Sequence, residues 1–136
     1  MLKVFIDAAT KGNPGLSGAG IVLIDAGKQT QISAPLPIMS NHEAEFASLI
    51  LALEKLIERE KNNQSILLYT DSKVVAQTID KNFTNNEDFS PYLHRFNLLE
   101  RKFPLLVVQW IPEAQNKGAD NLARQGLQKA LKIGKV

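Results

Sequence analysis

The stretch Lys3 to Ile24, KVFIDAATKGNPGLSGAGIVLI, constrains the fold more than any other part of the chain. It places two apolar runs, residues 2–8 and 18–24, on either side of an Asn-Pro-Gly turn and ahead of any helical pattern. Two such runs joined by a tight turn form a hairpin, so the sheet starts antiparallel. Asp25-Ala26-Gly27-Lys28 is a second turn signal. Gln29 to Ala34 then alternates as a polar edge strand, expected to stop at Pro35 and Pro37.

From residue 40 the period changes. Ser40-Asn41-His42-Glu43 reads as a capping box, and Ala44, Ala47, Leu49, Leu51, Leu53, Leu56 and Ile57 carry a helix to about Arg59. Residues 65–70 form a short apolar strand, after which Asp71-Ser72 is expected to cap a second helix. A polar loop, Lys81 to Ser90, leads to a helix with Pro91 in its first turn, running to Phe103. Leu105 to Ile111 is the last strand, with Trp110 expected in the core. Pro112 to Gln115 reads as loop, Asn116 as a helix cap, and residues 117–131 as the final helix. The order β-β-β-α-β-α-α-β-α predicts an α/β fold. Its sheet is mixed and five-stranded, three antiparallel strands followed by two parallel ones, with right-handed crossovers and helices on both faces.

The 136 residues suit a single domain, 1–136, with a core large enough to dispense with cross-links. The chain has no cysteine, which excludes thiol nucleophiles, disulfides and Cys-ligated zinc, and fits a cytoplasmic protein. No run approaches the length of a membrane span, and the N-terminus lacks a signal-peptide pattern. Sixteen basic against fourteen acidic residues leave a net charge of +2, which permits a nucleic-acid partner without demanding one.

The chemistry lies in the acids. Asp7 follows Phe5 and Ile6 in a run that reads as core, where an uncompensated carboxylate is costly. Asp71 follows the fourth strand, and in a parallel pair the ends of the first and fourth strands lie side by side, where open α/β sheets place their sites. Glu45 and Asp120 sit in the first turns of two helices, from which both can hang over the same sheet edge. Each of these three also has an ordinary structural explanation: helix cap for Asp71, helix first turn for Asp120, solvated helix residue for Glu45. Convergence of all four would require cations, and hard, oxygen-seeking Mg²⁺ or Mn²⁺ are the natural ones. Two such ions bridged by one carboxylate, for which Asp7 is best placed, clamp the attacking and leaving oxygens of a phosphodiester.

The segments FIDAATKGNPGLSGAGIVL, SNHEAEFASLILAL, LYTDSKVVAQTI and VQWIPEAQNKGADNLARQGL resemble, in order and spacing, the successive motifs of the ribonuclease H family, most of all its compact ribonuclease HI-like members from bacteria and archaea. The resemblance implies a ribonuclease H-like fold and endonucleolytic cleavage of the RNA strand of RNA–DNA hybrids, leaving 5′-phosphate and 3′-hydroxyl ends. It implies two Mg²⁺ ions, with Mn²⁺ as a substitute, and no organic cofactor. The family's four catalytic and metal-binding acids fall on Asp7, Glu45, Asp71 and Asp120. Asp7 would bridge the ions, Asp120 would help hold the one that activates water, and Glu45 and Asp71 the one at the leaving oxygen. Glu45 would also approach the 2′-hydroxyl that distinguishes RNA from DNA. Asn13 and Asn41 match positions that touch the hybrid's minor groove, and Ser40 one that receives a DNA-strand phosphate. Turn and cap chemistry alone would account for these three.

Four features depart from the family pattern. Ala8 stands where glycine usually follows the first aspartate. His42 replaces a second asparagine beside Asn41, and Lys73 replaces glutamine after Asp71-Ser72, so both alter expected nucleic-acid contacts. The loop 112–115 has no histidine. The segment 81–90 carries Glu87 and Asp88 rather than a lysine-rich protrusion, which predicts weak, less salt-dependent substrate binding. A catalytically weak or inactive hybrid-binding module is therefore the main rival. A 3′–5′ exonuclease needs a second acid where Ala9 stands, and a junction resolvase fits the NHEAEF and TDSK segments less well.

Overall fold

The computed structural model describes residues 1–134. Strands β1 (Leu2–Thr10), β2 (Gly15–Asp25), β3 (Lys28–Met39), β4 (Ile66–Thr70) and β5 (Leu106–Trp110) form one sheet in the order β3-β2-β1-β4-β5. The pairs β1–β2 and β2–β3 are antiparallel, and β1–β4 and β4–β5 are parallel. Helices α1 (Asn41–Glu58), α2 (Lys73–Lys81), α3 (Ser90–Glu100) and α4 (Lys117–Ile133) complete the fold. Among the described residues no helix is long and apolar enough to cross a membrane.

The sheet's two faces are covered by different means. Even-numbered residues of β1 and β4 (Leu2, Val4, Ile6, Ile66, Leu68) join Ile21 and Leu23 against Phe46, Leu49, Leu53 and Leu56 of α1. Such side chains contribute about 1.5–3 kcal/mol each when fully buried. On the opposite face α4 lies directly on β2. A Cβ on Gly18 would stand 2.0 Å from the Leu127 nitrogen, and one on Gly20 2.1 Å from the Ala119 carbonyl oxygen. The helix answers with Ala119, Ala123, Gly126 and Ala130, all buried. Ser33 Oγ donates to the Leu122 carbonyl at 2.8 Å, pinning the same helix to β3.

Strand β3 corrects the expectation that Pro35 and Pro37 end it, because it runs through both to Met39. The two-residue turn Ala26-Gly27, both at positive φ, pairs Asp25 with Lys28. Counting from that pair as far as Leu36, beyond which the register shifts, even-numbered residues of β3 bond to β2 and odd-numbered ones face outward. Pro35 is odd, so its missing N–H falls on the open edge of the sheet, and Pro37 falls where the register shifts between Leu36 and Met39, an irregularity at which a proline is tolerated.

Other boundaries shift for local reasons. The capping box at Ser40 and Glu43 is formed as expected. Ser72 alone caps α2, its hydroxyl accepting from the Val75 N–H at 3.1 Å, which leaves the Asp71 carboxylate free of that task. Helix α3 ends at Glu100, three residues early, and the loop after β5 contains a 3₁₀ turn, Glu113–Gln115. Asn116 precedes α4 but makes no side-chain cap bond.

Candidate active site

Ile6 pairs with Thr70 across the parallel β1–β4 ladder. The next residue on each strand is therefore an aspartate: Asp7 within β1 and Asp71 just beyond β4. On its other side Asp7 pairs with Gly20, whose lack of a side chain admits α4 and brings Asp120 over the same edge. Glu45 enters from the second turn of α1. The four acids line one cleft of about 310 Å³ together with Ala8, Thr10, Asn41 and Glu113, and among the described residues no lysine or arginine lines it.

Burial, then the neighbouring charge of Asp71, pushes the Asp7 carboxyl up to about 8, with Asp120 and Glu45 adding to the rise. The Ala8 N–H, donating to Asp7 Oδ1 at 2.9 Å, works in the opposite direction. Burial likewise raises Glu45 and Asp71 above the usual carboxylate range. His42 Nδ1 lies 3.8 Å from Glu45 Oε1 and favours its ionised form. Arg124, one turn further along α4, pairs with Asp120 at 3.1 Å.

Glu45 Oε2 is buried without a hydrogen-bond partner. Acceptors that protein donors leave unsatisfied, in an all-oxygen set, suit hard divalent cations such as Mg²⁺ or Mn²⁺. Among the described residues no three acidic or imidazole side chains are drawn together as a closed metal cage. The acids instead ring an open cleft.

The five residues expected to touch nucleic acid are placed unequally. Asn41 lines the cleft, and its N–H donates to Asn13 Oδ1 at 3.0 Å, so the turn after β1 anchors the start of α1. The Ser40 hydroxyl is occupied by the Glu43 N–H at 3.2 Å. His42 is exposed, with its ring edge-on to Phe89. Lys73 sits outside the acidic cleft, its ammonium 5.2 Å from the centre of the Trp110 ring.

Trp110 corrects the expectation of a core tryptophan: it is 40% exposed, on the edge strand β5. Its indole N–H donates to the Asp71 carbonyl at 3.0 Å, which tethers the backbone of an acid that lines the cleft. Two residues of the site were not singled out by sequence. Glu113 reads as a loop residue, and only the 3₁₀ turn brings it to the cleft. Asn116 reads as a cap, but its side chain turns inward to Ile6 and Asp71.

An α/β sheet of this order, with carboxylates gathered at the ends of adjacent parallel strands, defines a ribonuclease HI-like protein. Residues 5–134 match the family described as reverse transcriptase-like, and the chain belongs to that family. It is 57% identical over 129 residues to a protein of Enterococcus faecalis named "Putative hydrolase EbsB", covering 95% of this chain and 96% of the relative. The ribonuclease H1 of the archaeon Halobacterium salinarum superposes with a TM-score of 0.87 at 29% identity, covering 95% of this chain and 98% of that one. LC11 ribonuclease H1, crystallised in complex with an RNA/DNA hybrid, has a TM-score of 0.88 at 24% identity over 96% and 99% of the two chains.

Proposed function

We propose that this protein is an endoribonuclease that hydrolyses the RNA strand of RNA–DNA hybrids, leaving 5′-phosphate and 3′-hydroxyl ends, with two Mg²⁺ or Mn²⁺ ions. The observation that carries this reading is the meeting of Asp7, Glu45, Asp71 and Asp120, from four separate elements, in a cleft that no lysine or arginine among the described residues lines. The all-oxygen donor set and the unpartnered Glu45 Oε2 fit the metals. The hybrid bound by LC11 ribonuclease H1, on the same fold, supports the substrate class.

Asp7, on the central strand with a neighbour on each side, would be the acid shared by the two ions, Asp120 would help hold the one that activates water, and Glu45 and Asp71 would help hold the one at the leaving oxygen. When bound, the ions supply activation of water and neutralisation of charge on the phosphate. Asn13 and Asn41, linked to each other at the lip of the cleft, present polar groups to the minor groove. Glu45, on the same helix as Asn41, stands where a ribose 2′-hydroxyl is sensed.

The test is cleavage of an end-labelled RNA strand in a hybrid, with Mg²⁺, Mn²⁺ or chelator, beside single-stranded RNA and duplex DNA. Internal, metal-dependent cuts confined to the hybrid and lost in Asp7→Asn are expected. Folded protein that binds the hybrid without cutting it under either metal would replace the enzyme with a hybrid-binding module.

A further inference from the structure

Asn116 stands at the junction of three of the four acids. It is 1% exposed, and its Nδ2 donates to the Ile6 carbonyl at 2.7 Å and to Asp71 Oδ2 at 3.2 Å. Both partners are acceptors only, so the amide can face them in one orientation alone, with its NH₂ toward them. The backbone carbonyl of the same residue accepts the Asp120 N–H at 3.1 Å, the first full turn of α4. One residue thus touches the peptide group that leads into Asp7, the side chain of Asp71 and the main chain of Asp120.

A helix cap would spend its side chain on the N–H groups of the helix it starts, and Asn116 makes no such bond. Its Oδ1 is left buried without a partner. A residue selected only for stability would satisfy that oxygen or dispense with it, because an unpaired buried acceptor costs free energy. The arrangement accepts this cost while fixing two acceptors a strand apart.

We infer that Asn116 is a positioning residue: its side-chain amide sets the Asp71 carboxylate relative to the end of β1, so that Asp7 and Asp71 share a cation. The inference rests on the acids being the metal site proposed above. Its geometry also explains why Asp71 does not swing to cap α2, as an aspartate ahead of a helix otherwise would. Ser72 caps the helix, Trp110 holds the Asp71 backbone, and Asn116 holds its carboxylate.

The test is Mn²⁺ binding by calorimetry, without nucleic acid, to the wild type, Asn116→Ala, Asp71→Ala and the double variant, below the melting transition of each. Asn116→Ala is expected to weaken Mn²⁺ binding about tenfold, the loss of one well-oriented charge-assisted bond. In the Asp71→Ala background the same change should alter binding less than about twofold, since coupled residues are non-additive. If the wild type cleaves hybrid, kcat should fall in Asn116→Ala with KM for the hybrid unchanged.

Equal loss in both backgrounds, or unchanged Mn²⁺ affinity with only a lower melting temperature, would overturn the inference and leave a structural asparagine. Should Asn116→Ala not fold, the wild type alone decides by nuclear magnetic resonance. The Asn116 side-chain NH₂ should be slow to exchange with water and should shift as Mn²⁺-like diamagnetic Mg²⁺ is added. Rapid exchange and no shift would reject the role. Because metal binding is read without substrate, failure of hybrid cleavage and failure of this inference are separable.

Discussion

The two faces of the sheet are held by opposite means. On the α1 face, large side chains interlock: Phe46, Leu49, Leu53 and Leu56 fill the space above β1, β2 and β4. On the α4 face the side-chain layer shrinks to a small cluster of Val22, Ala119 and Leu122, because Gly18 and Gly20 let the backbone of α4 rest on β2. A side-chain layer can relax around a defect by changing rotamers, whereas a backbone contact has nothing to rearrange. The acids follow this division. Glu45 projects from the adaptable face, while Asp120 is set by the one that cannot adapt.

Four substitutions would break that comparison or sharpen it. The largest effect on activity is expected at the acid between the two faces. Asp7→Asn should lower hybrid cleavage at least about a thousandfold, as removal of charge stabilisation at a reacting centre does. The fold should not suffer. The Asp7 carboxyl titrates near 8 in the folded chain and near 4 when unfolded, so in metal-free protein folding favours the protonated form. Stability contributed by Asp7 is thus undiminished below pH 4, falls between pH 4 and 8, and stays low above. Thermal unfolding in chelator should show Asp7→Asn gaining on the wild type across that window. Metal binding should tighten over the same range and release a proton, which calorimetry in buffers of different ionisation enthalpy would detect.

Gly20→Ala comes next. Its methyl would meet the Ala119 carbonyl, lift the start of α4, and move Asp120 by a fraction of an ångström or more. Displacement on that scale is expected to cost about a hundredfold in cleavage, with about 1–3 kcal/mol of stability lost. On the other face Leu53→Ala should do the reverse: about 2–5 kcal/mol of stability lost by urea unfolding, with cleavage by the folded fraction within about twofold of wild type. Equal damage to cleavage from both changes would show that the two faces do not differ in how they hold the site.

The smallest effect is expected outside both faces. Lys73→Ala removes the cation above Trp110 and should reduce the salt dependence of hybrid binding by about one ion, leaving the cleavage rate at saturation nearly unchanged. Binding titrations at several salt concentrations would measure it.

Much of this was legible in the sequence because the signals were periodic. The hairpin at residues 2–24, the capping box at Ser40 and the acids at the strand ends each follow from spacing, and the cleft that gathers Asp7, Glu45, Asp71 and Asp120 follows from strand order. What was illegible depended on which edge or direction a residue faced. Pro35 and Pro37 look like strand breakers until the register shows the first facing outward and the second at an irregularity. Trp110 looks like core until its strand is seen to be an edge. Asn116 and Glu113 have no periodic signature at all, since both reach the site through a short 3₁₀ turn that no apolar pattern announces.

The prolines of β3 also bear on how copies of the protein behave at high concentration. A neighbouring chain that tried to add itself as a sixth strand along this edge would find the outward donor position at 35 blank and the strand irregular from Leu36 to Met39. Cross-molecular ladders need an unbroken row of such donors, so the longest strand of the molecule, which by length alone should nucleate fibrils, is a poor template for them.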